Sequence, residues 1–93
     1  MRIVYSEHLK RRLAIRRIPI ELPEIIFNEY DEKYFDYATG NFVLIKKVEF
    51  LQKPRDMMIV YEEEHDKVEI ITIHPLKKFQ KENRIKTGRW KRI

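Results

Sequence analysis

The segment KYFDYATGNFVLIKKVEFL, residues 33–51, decides the fold class that the rest of the chain is expected to complete. Two β-like runs flank ATGN, where Gly40 and Asn41 can take the positive φ that a tight turn needs. Apolar residues then alternate along one side of the second run, from Phe42 to Phe50. This period of two predicts an antiparallel hairpin with one face buried.

The segments on either side of the hairpin extend this pattern. Upstream, Ser6 resembles an N-cap for a helix over residues 7–17, and a shorter helix begins near Pro23. Downstream, MMIVYE (57–62) and KVEIITIH (67–74) indicate two more strands. Helices placed before hairpin-linked strands predict an α+β fold. Its architecture is expected to be two N-terminal helices packed on a roughly four-stranded antiparallel sheet, followed by a basic C-terminal tail.

The ends of the predicted domain are less regular. RIVY (2–5) is a short β-like run that suits an edge strand, and a helical turn is expected over LKKFQKEN (76–83). The length of 93 residues indicates a single domain over residues 1–93. No apolar run approaches the roughly 20 residues of a membrane span, and the first residues lack the apolar core of a signal peptide. We therefore expect a cytoplasmic protein without a membrane contact.

Several classes of chemistry are disfavoured by composition. The chain has no cysteine, so it has neither a disulfide framework nor a thiolate metal site. Its three histidines show no metal-ligand spacing, and its two glycines stand too far apart for a phosphate-binding loop. We expect neither a metal nor a cofactor.

Charge is divided unevenly along the chain. Residues 1–20 carry a net charge of +5, residues 21–74 carry −7, and residues 75–93 carry +7. If the fold brings the two basic ends together, they form a positive surface whose natural partner is a polyanion such as RNA. The alternative is that the basic ends dock onto the acidic middle of the same chain.

The first predicted helix carries the clearest functional pattern. His8, Arg12 and Arg16 are spaced by four residues, so they form one stripe beside the apolar pair Leu9 and Leu13. Arginine offers a planar fork that matches phosphate, and histidine exchanges protons near neutral pH. The stripe is therefore a candidate catalytic group. In the alternative interpretation the arginines pair with acidic residues of the middle segment and His8 caps or packs.

A second candidate lies in TIHP, residues 72–75, where the last predicted strand ends. Thr72 and His74 are two residues apart, so they point to the same face of the sheet. A histidine at a strand end, just before a proline, is well placed to act as a general acid or base. The alternative is a half-exposed histidine without a catalytic role.

The third candidate is NRIKTGRWKRI, residues 83–93. Arg84, Lys86 and Arg89 suit phosphates, and Trp90 can stack on an exposed base, which contributes roughly 1–3 kcal/mol. In the alternative interpretation Trp90 anchors the tail against the sheet and directs the arginines toward the helix stripe.

Taken in order, YSEHLKRRLAIRRIPIE (5–21), TIHP and NRIKTGRW resemble a widespread prokaryotic family of small uncharacterised proteins. The shared pattern is Ser6, His8, Arg12, Arg16 and Ile18. That family is grouped with the RelE/ParE-like toxins of toxin–antitoxin systems. The resemblance implies a RelE-like fold and RNA cleavage without a metal, in which the ribose 2′-hydroxyl attacks the adjacent phosphate.

The functional prediction is therefore a toxin-like, metal-independent ribonuclease. Its expected partners are RNA, free or on ribosomes, and an acidic antitoxin-like protein. The alternatives are a non-catalytic nucleic-acid-binding module and a protein-interaction domain on the same fold. The catalytic residues are expected to be His8, Arg12, Arg16 and His74, and the RNA-binding residues Arg84, Lys86, Arg89 and Trp90.

Overall fold

The computed structural model describes residues 1–93 and contains three helices and six strands. None of the three helices combines the length and the apolar character that crossing a membrane requires. In chain order the elements are β1 (Arg2–Tyr5), α1 (Glu7–Arg16), α2 (Leu22–Glu29), β2 (Glu32–Asp36), β3 (Asn41–Phe50), β4 (Lys53–Glu64), β5 (Lys67–Pro75), α3 (Gln80–Lys86) and β6 (Trp90–Arg92).

All six strands join one mixed sheet in the order β1-β5-β4-β3-β2-β6. The four central strands pair antiparallel, as the hairpin pattern predicts, and Gly40 at φ +76° closes the turn between β2 and β3. The predicted α+β class holds, but the predicted architecture is wrong. The sheet has six strands instead of about four, it is mixed instead of antiparallel, and a third helix follows it.

The error lies at the two edges of the sheet. β1 runs parallel to β5, with Arg2 opposite Lys67 and Tyr5 opposite Ile70. At the other edge β6 pairs antiparallel with β2, so the expected basic tail is a helix followed by a strand. Both pairings join segments more than 50 residues apart, and local periodicity carries no information about such pairing.

The sheet has an apolar cluster on each face. The larger cluster joins α1 and α2 to the sheet, and Leu9 and Leu13 of the predicted apolar stripe are both buried in it. The smaller cluster, on the other face, consists of Tyr34, Val43, Ile45, Met58 and Trp90. Alternation along β3 and β4 supplies both clusters, because successive side chains of a strand point to opposite faces.

The start of α1 is fixed by Ser6, which is the N-cap that the sequence predicts. The Ser6 hydroxyl oxygen accepts a hydrogen bond from the Leu9 N–H at 3.0 Å, and the same hydroxyl donates to the Ile71 carbonyl of β5 at 2.8 Å. Ile71 lies at an irregularity in the pairing of β5 with β4, where the register shifts between Val60 and Tyr61. One side chain therefore caps the helix and ties it to β5.

Candidate nucleic-acid interface

The candidate site lies along the part of β5 that β1 leaves uncovered. On the side away from β4, β5 has β1 as its neighbour only as far as Ile70. Helix α1 begins there, and His8 Nε2 lies 3.3 Å from the hydroxyl oxygen of Thr72. Thr72 and His74 share a face of the sheet, as predicted, because they pair with Val60 and Met58.

The helix stripe and the strand-end histidine meet at this edge. Arg12, Arg16 and His74 line two adjoining clefts of about 230 and 440 Å³, which together we call the His74 cleft. His8 lines a neighbouring depression with the same two arginines. Three of the four residues predicted to be catalytic, Arg12, Arg16 and His74, therefore line one cleft, and His8 lies in a depression that shares the two arginines.

His74 is held in one tautomer. Its Nδ1 lies 3.0 Å from the Pro75 carbonyl oxygen, which can only accept a hydrogen bond, so Nδ1 carries the proton and the Nε2 lone pair is free. Burial lowers the pKa of His74 from its usual 6.5, and the positive charges of Arg12, Lys77 and Arg16 lower it further, against the opposing effect of the Pro75 hydrogen bond. At neutral pH the ring is therefore an uncharged proton acceptor.

Arg12 and Arg16 have no carboxylate partner. The ion pairs of the structure are Lys10–Glu7, Lys46–Glu29, Lys81–Glu32 and Arg89–Asp36. Arg12 Nε is buried and makes no hydrogen bond within the protein. The alternative in which these arginines pair with the acidic middle segment is thus not observed, and both guanidinium groups keep their charge available to a ligand.

A further group of cations, outside the predicted site, continues the positive surface. Arg55, whose Nε donates to the Phe50 carbonyl at 3.0 Å, lines the His74 cleft and also an adjacent cleft of about 310 Å³. We call this second cleft the Phe79 cleft, because Phe79 lies at it together with Lys77, Lys78 and Lys81. Only the strand register shows that Arg55 lies at the His74 cleft, whereas the run of lysines after Pro75 is visible in the sequence.

The residues predicted to bind RNA lie elsewhere. Arg89 and Trp90 belong to the far edge of the sheet, four strand spacings or about 19 Å from β5. Arg84 and Lys86 lie on α3, which leads toward that edge, and neither lines any of the clefts. The basic C-terminal segment reaches the site through residues 77–81 instead.

Arg89 and Trp90 contribute to a structural contact that we call the Asp36 clamp. The Arg89 guanidinium donates from Nε and Nη2 to the two carboxylate oxygens of Asp36, at 2.9 and 3.1 Å. Trp90 is only 3% exposed, with its ring centroid 5.6 Å from that of Tyr34. This placement fits the alternative role of Trp90, that of an anchor, and not a ring that is free to stack on a base.

The electrostatics of Asp36 agree with a structural role. Burial acts to raise the pKa of this carboxyl group, but hydrogen bonds from Arg89 and from the Ala38 N–H outweigh burial and lower the pKa below its usual 3.8. The nearby Trp90 N–H also lowers the pKa of Asp36, by less than Arg89 or Ala38 does, although it is not in hydrogen-bonding geometry. Asp36 therefore stays ionised and neutralises Arg89.

No group of three or more His, Asp or Glu side chains is arranged so that it could hold a metal ion. Comparisons of the chain with protein-family models, with curated proteins and with solved structures gave no match. The resemblance to RelE/ParE-like toxins therefore stays a prediction from the motifs.

Proposed function

We propose that this protein is a cytoplasmic ribonuclease that cleaves RNA by attack of a ribose 2′-hydroxyl, without a metal, as its resemblance to toxin-like ribonucleases implies. One observation carries the proposal: an uncharged histidine with a free Nε2 lies in a cleft beside two arginines that have no counter-ion. A general base next to unpaired positive charge suits a reaction in which a hydroxyl loses its proton and negative charge develops on a phosphate.

The roles follow from the chemistry of each group. Arg12 and Arg16 hold the scissile phosphate and stabilise the negative charge that develops on its non-bridging oxygens. His74 Nε2 takes the proton of the 2′-hydroxyl. His8, positioned by the Thr72 hydroxyl, gives a proton to the leaving 5′-oxygen.

The reaction balances without another reactant. A bond forms between the 2′-oxygen and phosphorus while the bond between phosphorus and the 5′-oxygen breaks. One proton moves from the 2′-hydroxyl to His74, and one moves from His8 to the 5′-oxygen. The products are a 2′,3′-cyclic phosphate and a 5′-hydroxyl end.

The test is cleavage of labelled single-stranded RNA in the presence of EDTA, by wild type and by His74→Ala and Arg12→Ala variants. We expect each variant to lose at least about a hundredfold in rate, the usual contribution of a positioned acid–base or charge-stabilising group. Lys10→Ala is the matched control, since Lys10 is a cation of the same helix that pairs with Glu7 and lies outside the His74 cleft. It should cleave like wild type.

The possible results separate the hypotheses. A DNA strand of the same sequence, which has no 2′-hydroxyl at any position, should bind and stay intact. If wild type binds RNA tightly but cuts none, alone or on ribosomes, the enzyme proposal fails and the non-catalytic nucleic-acid-binding module is favoured. If His74→Ala and Arg12→Ala cleave as fast as Lys10→Ala, the protein is a ribonuclease whose catalytic residues lie elsewhere.

A further inference from the structure

Phe79 is an exposed aromatic residue in an unfavourable backbone conformation. It is 61% exposed, whereas every other phenylalanine is at least partly buried. Its backbone takes φ +64°, a left-handed conformation that a bulky side chain rarely adopts. Exposure means that no packing compensates this strain, and strained residues are concentrated at functional sites.

The strained conformation is held by the surrounding backbone. The Lys77 N–H donates to the Gln80 side-chain oxygen at 3.0 Å, and the Gln80 N–H donates back to the Lys77 carbonyl at the same distance. The Asn83 N–H donates to the Phe79 carbonyl, also at 3.0 Å. These bonds define the turn between β5 and α3, from which the Phe79 ring faces solvent.

The surroundings of the ring are cationic. Four cations and two carboxylates line the Phe79 cleft: Lys77, Lys78, Lys81 and Arg55, with Asp56 and Glu82. Lys81 is paired with Glu32, so Lys77, Lys78 and Arg55 are the cations without a carboxylate partner, and Lys78 Nζ lies 5.2 Å from the centroid of the Phe79 ring. The cleft shares Arg55, Pro75, Leu76 and Lys77 with the His74 cleft. An exposed apolar ring among cations does not suit an apolar protein partner, but it does suit a strand that offers phosphates and flat bases in alternation.

We propose that Phe79 is a stacking platform for an unpaired base of the RNA strand, next to the phosphate held in the His74 cleft. This inference rests on the proposed function and adds to it the class of substrate. A base inside a duplex has both of its faces covered, so a site that stacks a base selects single-stranded RNA or a loop. Lys77 and Lys78 hold the phosphate that belongs to the stacked base.

The experiment measures binding of an uncleavable probe by fluorescence anisotropy at constant salt. The probe is a labelled single-stranded RNA of about twelve nucleotides, fully 2′-O-methylated so that no nucleophile is present. A second probe is an abasic strand with the same number of phosphates. The variants are Phe79→Gly, which relieves the backbone strain while removing the ring, and Phe79→Tyr, which keeps an aromatic ring.

We expect Phe79→Gly to weaken binding of the base-bearing strand roughly tenfold or more while leaving binding of the abasic strand unchanged. Phe79→Tyr should bind both probes like wild type. The melting temperature of Phe79→Gly should equal or exceed that of wild type, because glycine tolerates φ +64° without strain. Tyr37→Ala is the matched control, since Tyr37 is an aromatic of equal exposure, 62%, that lines neither cleft.

Three results would overturn the inference: equal weakening of both probes by Phe79→Gly, no weakening of either, or a lower melting temperature accompanied by lost binding. The test is independent of cleavage. If RNA is never cut but Phe79→Gly loses only base-dependent affinity, the ribonuclease proposal fails and the stacking site stands. If RNA is cut and Phe79→Gly binds like wild type, the stacking site alone fails.

Discussion

Arg12 and Arg89 are both arginines of the basic chain ends, and they have opposite surroundings. Arg89 makes two hydrogen bonds to Asp36 and closes the far edge of the sheet. Arg12 has no carboxylate partner, its Nε is buried without a hydrogen bond, and it faces His74 across a cleft. A neutralised arginine holds the fold together, whereas a half-buried one whose Nε has no partner indicates a site for an external anion.

The largest expected effect concerns the Asp36 clamp. Trp90→Ala removes the largest side chain of the smaller apolar cluster and leaves a cavity beside Tyr34 and Val43. We expect a loss of about 3–5 kcal/mol in the free energy of unfolding, measured by urea denaturation. Tyr37→Ala, which removes an exposed ring, should change it by less than about 0.5 kcal/mol. Unchanged stability of Trp90→Ala, together with weaker RNA binding, would restore base stacking as the role of Trp90.

The next effect separates the two arginines directly. Arg89→Ala leaves the buried Asp36 carboxylate without its partner and should cost about 1–2 kcal/mol of stability, a value reduced because Arg89 is partly exposed to water. Arg12→Ala should stay within about 0.5 kcal/mol of wild type, because no ion pair is lost. Urea denaturation of both variants tests this pair. If Arg12→Ala is as destabilised as Arg89→Ala, Arg12 is a structural residue and the proposed site loses its main support.

The smallest effect is the dependence of stability on pH, which should differ between the two regions. The pKa of His74 is lowered below 6.5 in the folded protein, so the unfolded chain binds the proton first and stability falls as the pH drops below 6.5. The pKa of Asp36 is lowered below 3.8, so its stabilisation is complete above that pH and is lost at more acidic pH.

Urea denaturation checks both losses of stability. It is measured from about pH 8 to about pH 3 for wild type, His74→Gln and Asp36→Asn. His74→Gln should abolish the loss that begins at 6.5, and Asp36→Asn should reduce the loss below 3.8, to which Glu32, whose pKa is lowered by hydrogen bonds to Tyr34 and Lys81, still contributes. Identical pH profiles for all three proteins would mean that neither group has the environment described above.

Much of the centre of the fold follows from local pattern. The helix after Ser6, the buried Leu9–Leu13 stripe and the turn at Gly40 were predicted from spacing and are confirmed. The edges were not predictable, because β1 and β6 are short and their partners lie far along the chain. For the same reason the sequence could not place Arg55 near His74, since only the register of β4 against β5 brings the two residues to one cleft.

By itself, the sequence determined the types of side chain and their local spacing: one helical stripe of His8, Arg12 and Arg16, a histidine at a strand end, and basic chain ends. The tertiary structure decided which cations have counter-ions and which aromatic is exposed. It buried Trp90 beside the Asp36–Arg89 pair and left Phe79 facing solvent next to Lys77 and Lys78, which have no ion-pair partner. The physical reason is that burial and charge pairing depend on strand order and register, which arise from contacts between distant segments and not from local composition.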